Sequence, residues 1–152
     1  MRIVPYNKKY RDDFIRLNFA WIKDMFEIEL TDVQDLARID DNVAAGGQVF
    51  FALSDDEEVM ACCEISPIPD GGWEIQKFAA DGKFKGQGAG KAVLKACLDY
   101  AKEKGYHNLV LVTNTKCIPA VHLYKEFGFK EVPIDKELFP FDRGNLQMEL
   151  NL

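Results

Sequence analysis

Residues 74–101 read EIQKFAADGKFKGQGAGKAVLKACLDYA, and the fold turns on the change of period within them. Residues 73–80 read as a strand, residues 85–90 as a glycine-rich turn, and the remainder as an amphipathic helix that stops at Gly105. The N–H groups of a helix's first turn have no partner within the helix, and they carry the positive end of its dipole. Gly86, Gly88 and Gly90 remove the side chains that would hold a ligand away from those donors. A strand, a glycine-rich turn and a helix start together suit a phosphate. The loop is not the nucleotide-binding loop that ends in Gly-Lys-Ser/Thr, because Ala92 follows Lys91. It is not a dinucleotide fingerprint either, since its three glycines alternate. Four lysines and no acid lie between residues 82 and 98, in a chain of net charge −6. That charge fits an anion and fits equally well a solvated helix face.

The elements on either side follow from periodicity and capping. Residues 2–6 read as a strand, and Asn7 is placed to cap the next helix. There Tyr10, Phe14, Leu17, Trp21 and Met25 recur at spacings of three and four, which makes one buried face. Thr31 and Gln34 have capping-box spacing and open a second helix over residues 32–39. Residues 48–53 and 59–65 form a hairpin through Asp55-Asp56, and residues 67–72 turn into the strand at 73. Beyond Gly105, residues 108–113 are apolar as in a strand covered on both faces. Pro119 opens a short helix that ends at Gly128. Strands over residues 129–134 and 145–150 close the chain. The order β-α-α-β-β-β-α-β-α-β-β predicts one α/β domain over residues 1–152, with helices flanking a mixed, mostly antiparallel sheet.

Composition excludes several classes. The chain has 152 residues, 47% of them hydrophobic and 29% charged, as in one ordinary globular domain. No apolar run is long enough for a membrane span and no leader opens the chain, so a cytoplasmic protein with no membrane partner is expected. The acidic balance argues against a nucleic-acid surface. Cys62, Cys63, Cys97 and Cys117 lack zinc spacing, so no metal is expected, and all four read as reduced thiols. The adjacent Cys62 and Cys63 are expected on opposite faces of a strand.

Two motifs carry a family likeness. Residues 77–90, Lys-Phe-Ala-Ala-Asp followed by Lys-Gly-Gln-Gly-Ala-Gly, resemble the pyrophosphate motif of the GNAT superfamily of N-acetyltransferases. Residues 119–131, PAVHLYKEFGFKE, resemble that family's second conserved helix and strand. The family's first motif opens with Gln or Arg, whereas this chain has Lys85, which keeps the cation without the planar fork. Residues 17–26, LNFAWIKDMF, also resemble a bacterial subgroup of which some members are fused to MarR-type regulators.

The resemblance implies acetyl-CoA as acyl donor. Its pyrophosphate would take N–H bonds from Lys85, Gly86, Gln87, Gly88, Ala89, Gly90 and Lys91. Its pantetheine arm would pair with the backbone of Phe78, Ala79 and Ala80, with Asn114 bonding it from the neighbouring strand. Tyr124 occupies the position that protonates the leaving thiolate; read on its own, it is an amphipathic aromatic at the edge of a core. Glu74 lies eleven positions before Lys85, the offset of the general base in some members; read on its own, it is a strand carboxylate. The acceptor, a primary amine of a small molecule or peptide, would be bordered by Phe26, Glu74, Phe139 and Phe141. Two acid-rich segments, residues 24–41 with seven acids and one base and residues 55–58, suggest a cationic acceptor if they line its groove, and fit equally well a solvated acidic surface. Cys117 reads as packing, and His122 as surface or structural. Oligomeric state is left open between monomer and homodimer. The rival reading is a non-catalytic CoA-sensing or partner-binding module on the same fold. A phosphate-binding protein unrelated to CoA would account for the loop but not for residues 119–131.

Overall fold

The computed structural model describes residues 1–69, 71–140 and 142–152. Seven strands form a single sheet: β1 (Arg2–Pro5), β2 (Gln48–Leu53), β3 (Val59–Pro67), β4 (Trp73–Ala80), β5 (Asn108–Thr113), β6 (Lys130–Val132) and β7 (Leu146–Asn151). Their spatial order is β1-β2-β3-β4-β5-β7-β6. Every neighbouring pair is antiparallel except β4 and β5. Among the described residues five α-helices pack against it: α1 (Arg11–Met25), α2 (Leu30–Ala37), α3 (Ile39–Ala44), α4 (Ala89–Glu103) and α5 (Ile118–Glu126).

Two cores sit on the two faces of the sheet. One holds Cys63, Ile65, Ile75, Val93, Leu94, Cys97, Tyr124 and Met148, under α4 and α5. The other holds Phe14, Leu17, Leu36, Ile39, Phe51 and Cys62, under α1 to α3. Cys62 and Cys63 thus face opposite ways, as strand alternation requires. The α1 stripe is confirmed at Tyr10, Phe14 and Leu17, whereas Trp21 and Met25 are half-buried. Asn18 is fully buried; its Nδ2 donates to Phe14 C=O at 2.9 Å, and its Oδ1 accepts from the Trp21 ring N–H at 3.1 Å.

Three local expectations are corrected. The capping box that opens α2 is formed by Glu29 and Asp32, not by Thr31 and Gln34. The helical stretch breaks at Arg38, whose backbone leaves the helical region, and α3 follows as an additional helix. The strand expected over residues 129–134 covers only Lys130–Val132, because Pro133 has no N–H to donate to a ladder.

Two irregularities in β4 shape the middle of the sheet. Glu64 pairs with Gln76 and Cys62 with Ala79, so two residues of β4, Lys77 and Phe78, stand opposite Cys63 alone. Lys77 takes a left-handed φ of 53° to make this bulge. In addition, β4 and β5 pair only at Trp73 with Leu109 and Glu74 with Val110. Past Glu74 the strands part and leave the β4 edge open.

Candidate active site

The open edge of β4 runs towards the glycine-rich turn. Gly86 and Gly88 have φ of 83° and 80°, and a side chain added at either would meet nothing within 4 Å. Gly88 caps α4, and the first bond of the helix is Ala92 N–H to Gly88 C=O at 3.0 Å. The N–H groups of Gly88, Ala89, Gly90 and Lys91 precede that bond and have no backbone partner among the described residues. Gly90 serves packing instead, since a Cβ there would lie 3.1 Å from Phe78 Cζ. Phe78 in turn meets the Tyr124 ring at 5.9 Å, and Tyr124 meets Phe129 at the same distance. The turn, the end of β4 and α5 are therefore locked together through Gly90, Phe78 and Tyr124.

Tyr124 is 6% exposed. Burial pushes its phenol well above the usual range, with Cys63, Cys117 and Cys97 adding to the shift. It is thus neutral at pH 7 and able to donate. His122, two residues earlier, points to solvent and pairs with Glu126 at 3.4 Å. Cys117 packs its sulfur 3.6 Å from that of Met25.

The opposite face of β4 carries charge. Glu74 is half-buried there, and burial raises its carboxyl to about 7. Lys77 lowers it and Asp35 raises it further. Gln76 faces the same way by strand alternation, and the bulge adds Lys77, whose Nζ lies 3.9 Å from an Asp35 oxygen. Glu64 of β3, only 1% exposed, accepts from Gln76 Nε2 at 2.8 Å. That amide also donates to Ser66 Oγ at 2.6 Å. Sequence reasoning missed Glu64, although one charged residue amid Cys62, Cys63 and Ile65 was a signal. A strand buried on both faces keeps an acid only where a partner awaits it.

A third cluster borders the same face. Phe26 lies beneath two cations, Lys116 at 5.5 Å and Arg143 at 5.6 Å, and meets Trp21 edge-on at 6.4 Å. Arg143 also bonds both Asp32 oxygens, at 2.6 and 2.7 Å, which ties the β6–β7 loop to α2. Asn114 holds that loop from behind: its Nδ2 donates to Arg143 C=O at 2.8 Å and its Oδ1 accepts from Lys116 N–H at 2.9 Å. Both ends of the Asn114 side chain are thus engaged within the protein. Phe139 is 3% exposed. Phe141 lies outside the described residues. Ala79 is buried and Ala80 exposed at the end of β4.

Residues 13–129 match the acetyltransferase (GNAT) family. Among curated proteins, rat N-acetyltransferase 8B is 31% identical over 106 residues, which are 66% of this chain and 47% of the relative. The chain spans about half the length of the mammalian relatives it matches. An acetyltransferase of the GNAT family from Staphylococcus aureus Mu50 superposes with a TM-score of 0.88 at 24% identity, covering 99% of this chain and 98% of that one. A phosphinothricin acetyltransferase from Sinorhizobium meliloti, solved with acetyl-CoA, gives 0.80 at 14% identity and covers 99% and 88%. A fold parted between β4 and β5, a glycine turn with unpaired amides and a match across residues 13–129 lead to one conclusion: the chain belongs to the GNAT family of acetyltransferases.

Proposed function

We propose that the chain transfers an acetyl group from acetyl-CoA to a primary amine of a small molecule or peptide, in one direct step. The observation that carries this reading is the site's two-sided build. Tyr124 approaches the parted strands from the α5 side, while Glu74 stands on the opposite face of β4. The residues fit the cofactor: an open β4 edge at Phe78, Ala79 and Ala80 offers backbone to a chain of amides, and the unpaired N–H groups of residues 88–91 offer donors to a pyrophosphate. Lys85 and Lys91, both exposed, add positive charge there. Acetyl-CoA supplies the activated acyl thioester.

The protein's own residues then handle two protons. An alkyl ammonium has a pKa near 10 and must lose a proton before it attacks. Glu74, raised to about 7 by burial, is matched to take that proton near neutral pH. Tyr124 Oη holds the second proton and donates it towards the leaving sulfur. The acids Glu64, Glu74 and Asp35 on the acceptor side favour an amine that arrives as a cation. Phe26, flanked by Lys116 and Arg143, is the aromatic border of that side.

The test is CoA release measured with acetyl-CoA and a panel of amines. Turnover with at least one primary amine, abolished when the amine is omitted, supports the reading. Tight CoA binding with no turnover on any amine would leave the sensing module as the better account.

A further inference from the structure

Gln76 has a hydrogen-bond acceptor to spare, held at the place where the sheet opens. Pairing of β4 with β5 ends at Glu74, and Gln76 is the next residue of β4 on the same face. Its amide is fixed at the nitrogen. Nε2 donates to a Glu64 oxygen at 2.8 Å and to Ser66 Oγ at 2.6 Å, so both of its hydrogens are spent. Turned over, the amide would set its own oxygen against the Glu64 carboxylate, so its orientation is determined. Glu64 and Ser66 are themselves only 1% and 5% exposed, which leaves this anchor little room to move. What remains is Oε1. It has no hydrogen bond to a described residue, and no described side-chain oxygen is both sealed and unpartnered, so Oε1 is open to solvent. The strand register gives the amide a direction. Glu64 stands directly opposite Gln76 and Ser66 directly opposite Glu74, so an amide that reaches Ser66 leans along β4 towards Glu74.

We propose that Gln76 binds the acceptor: its Oε1 accepts one N–H of the amine whose proton Glu74 takes. The inference rests on the acetyl-transfer reading with Glu74 as base. Two positions along one strand are about 6.6 Å apart. Two oxygens that accept from one tetrahedral nitrogen at about 2.9 Å stand about 5 Å apart. Two side chains of glutamate length close that difference by leaning together. A primary ammonium has three N–H groups. The proton given to Glu74 leaves, and the N–H held by Gln76 stays on the neutral amine. That bond fixes the direction of the lone pair that attacks the acetyl carbonyl. An amide oxygen suits this place better than another carboxylate, because it takes no proton and adds no charge beside the base.

The substitution Gln76→Met keeps the length of the side chain and removes its amide. Because it also leaves Glu64 without a donor, it is made both alone and together with Glu64→Gln, where no charge is stranded. The experiment has two arms. The first needs no turnover. The Gln76 side-chain amide signals, identified by their loss in Gln76→Met, are followed by NMR as butylammonium is added to the substrate-free protein. Butyltrimethylammonium, equal in charge but without an N–H, is the control. The signals should shift with butylammonium and stay in place with the control; equal shifts, or none with either, overturn the proposal. The second arm is kinetic and uses the primary amine that turns over fastest. Its KM should rise about tenfold in Gln76→Met, and by the same factor when the double variant is compared with Glu64→Gln alone. The KM for acetyl-CoA should hold. An unchanged KM for the amine overturns the proposal, and so does a fall in kcat with both KM values unmoved, which marks Gln76 as purely structural. Shifts specific to butylammonium in a protein that acetylates no amine leave the Gln76 contact standing and overturn the acetyl-transfer reading instead.

Discussion

Tyr124 and Glu74 solve opposite problems with the same physics. Burial holds the phenol protonated and lifts the carboxyl to about 7, so one is ready to give a proton and the other to accept one. Tyr124→Phe keeps the ring between Phe78 and Phe129, so the melting temperature and acetyl-CoA affinity should hold while turnover falls by about 10²–10⁴. Steady-state kinetics in an assay limited by chemistry would show this, and full turnover would remove Tyr124 from the proton path. Glu64 makes a separate prediction for stability. Its folded carboxyl, at about 7, lies above that of the unfolded chain, so the folded state holds its proton more tightly. The favourable contribution is complete below about pH 4.5 and is lost as the pH rises through 7. Glu64→Gln should therefore leave thermal melts at pH 4.5 unchanged and stabilise the protein at pH 8 by about 1–3 kcal/mol. The placement of Tyr124 on a helix against Phe78 of β4, and of Glu74 on β4, was legible from motif position. The burial of Glu64 was not, because it depends on a cross-strand neighbour, Gln76, that leaves no trace in local pattern.

The glycine turn into α4 was the most legible element, since Gly86 and Gly88 adopt the left-handed backbone that only glycine enters freely. Gly88→Glu places a strained acid at the start of the helix, beside the free amides. Calorimetry should find CoA binding weakened by more than about tenfold, and unchanged binding would place the pyrophosphate elsewhere. The α2 region was the least legible. Thr31 and Gln34 have the right spacing for a cap, but Glu29 and Asp32 take the role two residues earlier. Asp32 is also the residue that holds Arg143 from the β6–β7 loop, so α2, that loop and Phe26 stand or fall together. Arg143→Ala should release the loop. The KM for the amine should rise roughly three- to tenfold, given the modest worth of a half-buried pair and one ring contact, while the KM for acetyl-CoA stays put. Such a partnership spans more than a hundred positions in sequence, which is why no local reading could find it.

At the scale of the whole molecule, the net charge of −6 is unevenly spread: lysines gather near the α4 turn and acids over residues 24–41. On the proposed function, the two substrates would be sorted by sign, an anionic cofactor to one side and a cationic acceptor to the other. A screen should find polyamines and basic peptides outperforming neutral or acidic amines, with KM rising as salt is added. The reverse ranking would show that the acidic face is only solvated surface. The order of strands and helices was readable apart from α3, because each element carries its own period. The parting of the sheet has no such local signal, because both flanking strands are ordinary by composition. That parting has a mechanical consequence. Two residue pairs alone join β4 to β5, so the sheet has a seam, with β1 to β4 on one side and β5, β7 and β6 on the other. Pulled apart across that line, the molecule should yield there first and at low force, and a chain of amides laid along the gap would act as the suture that closes it.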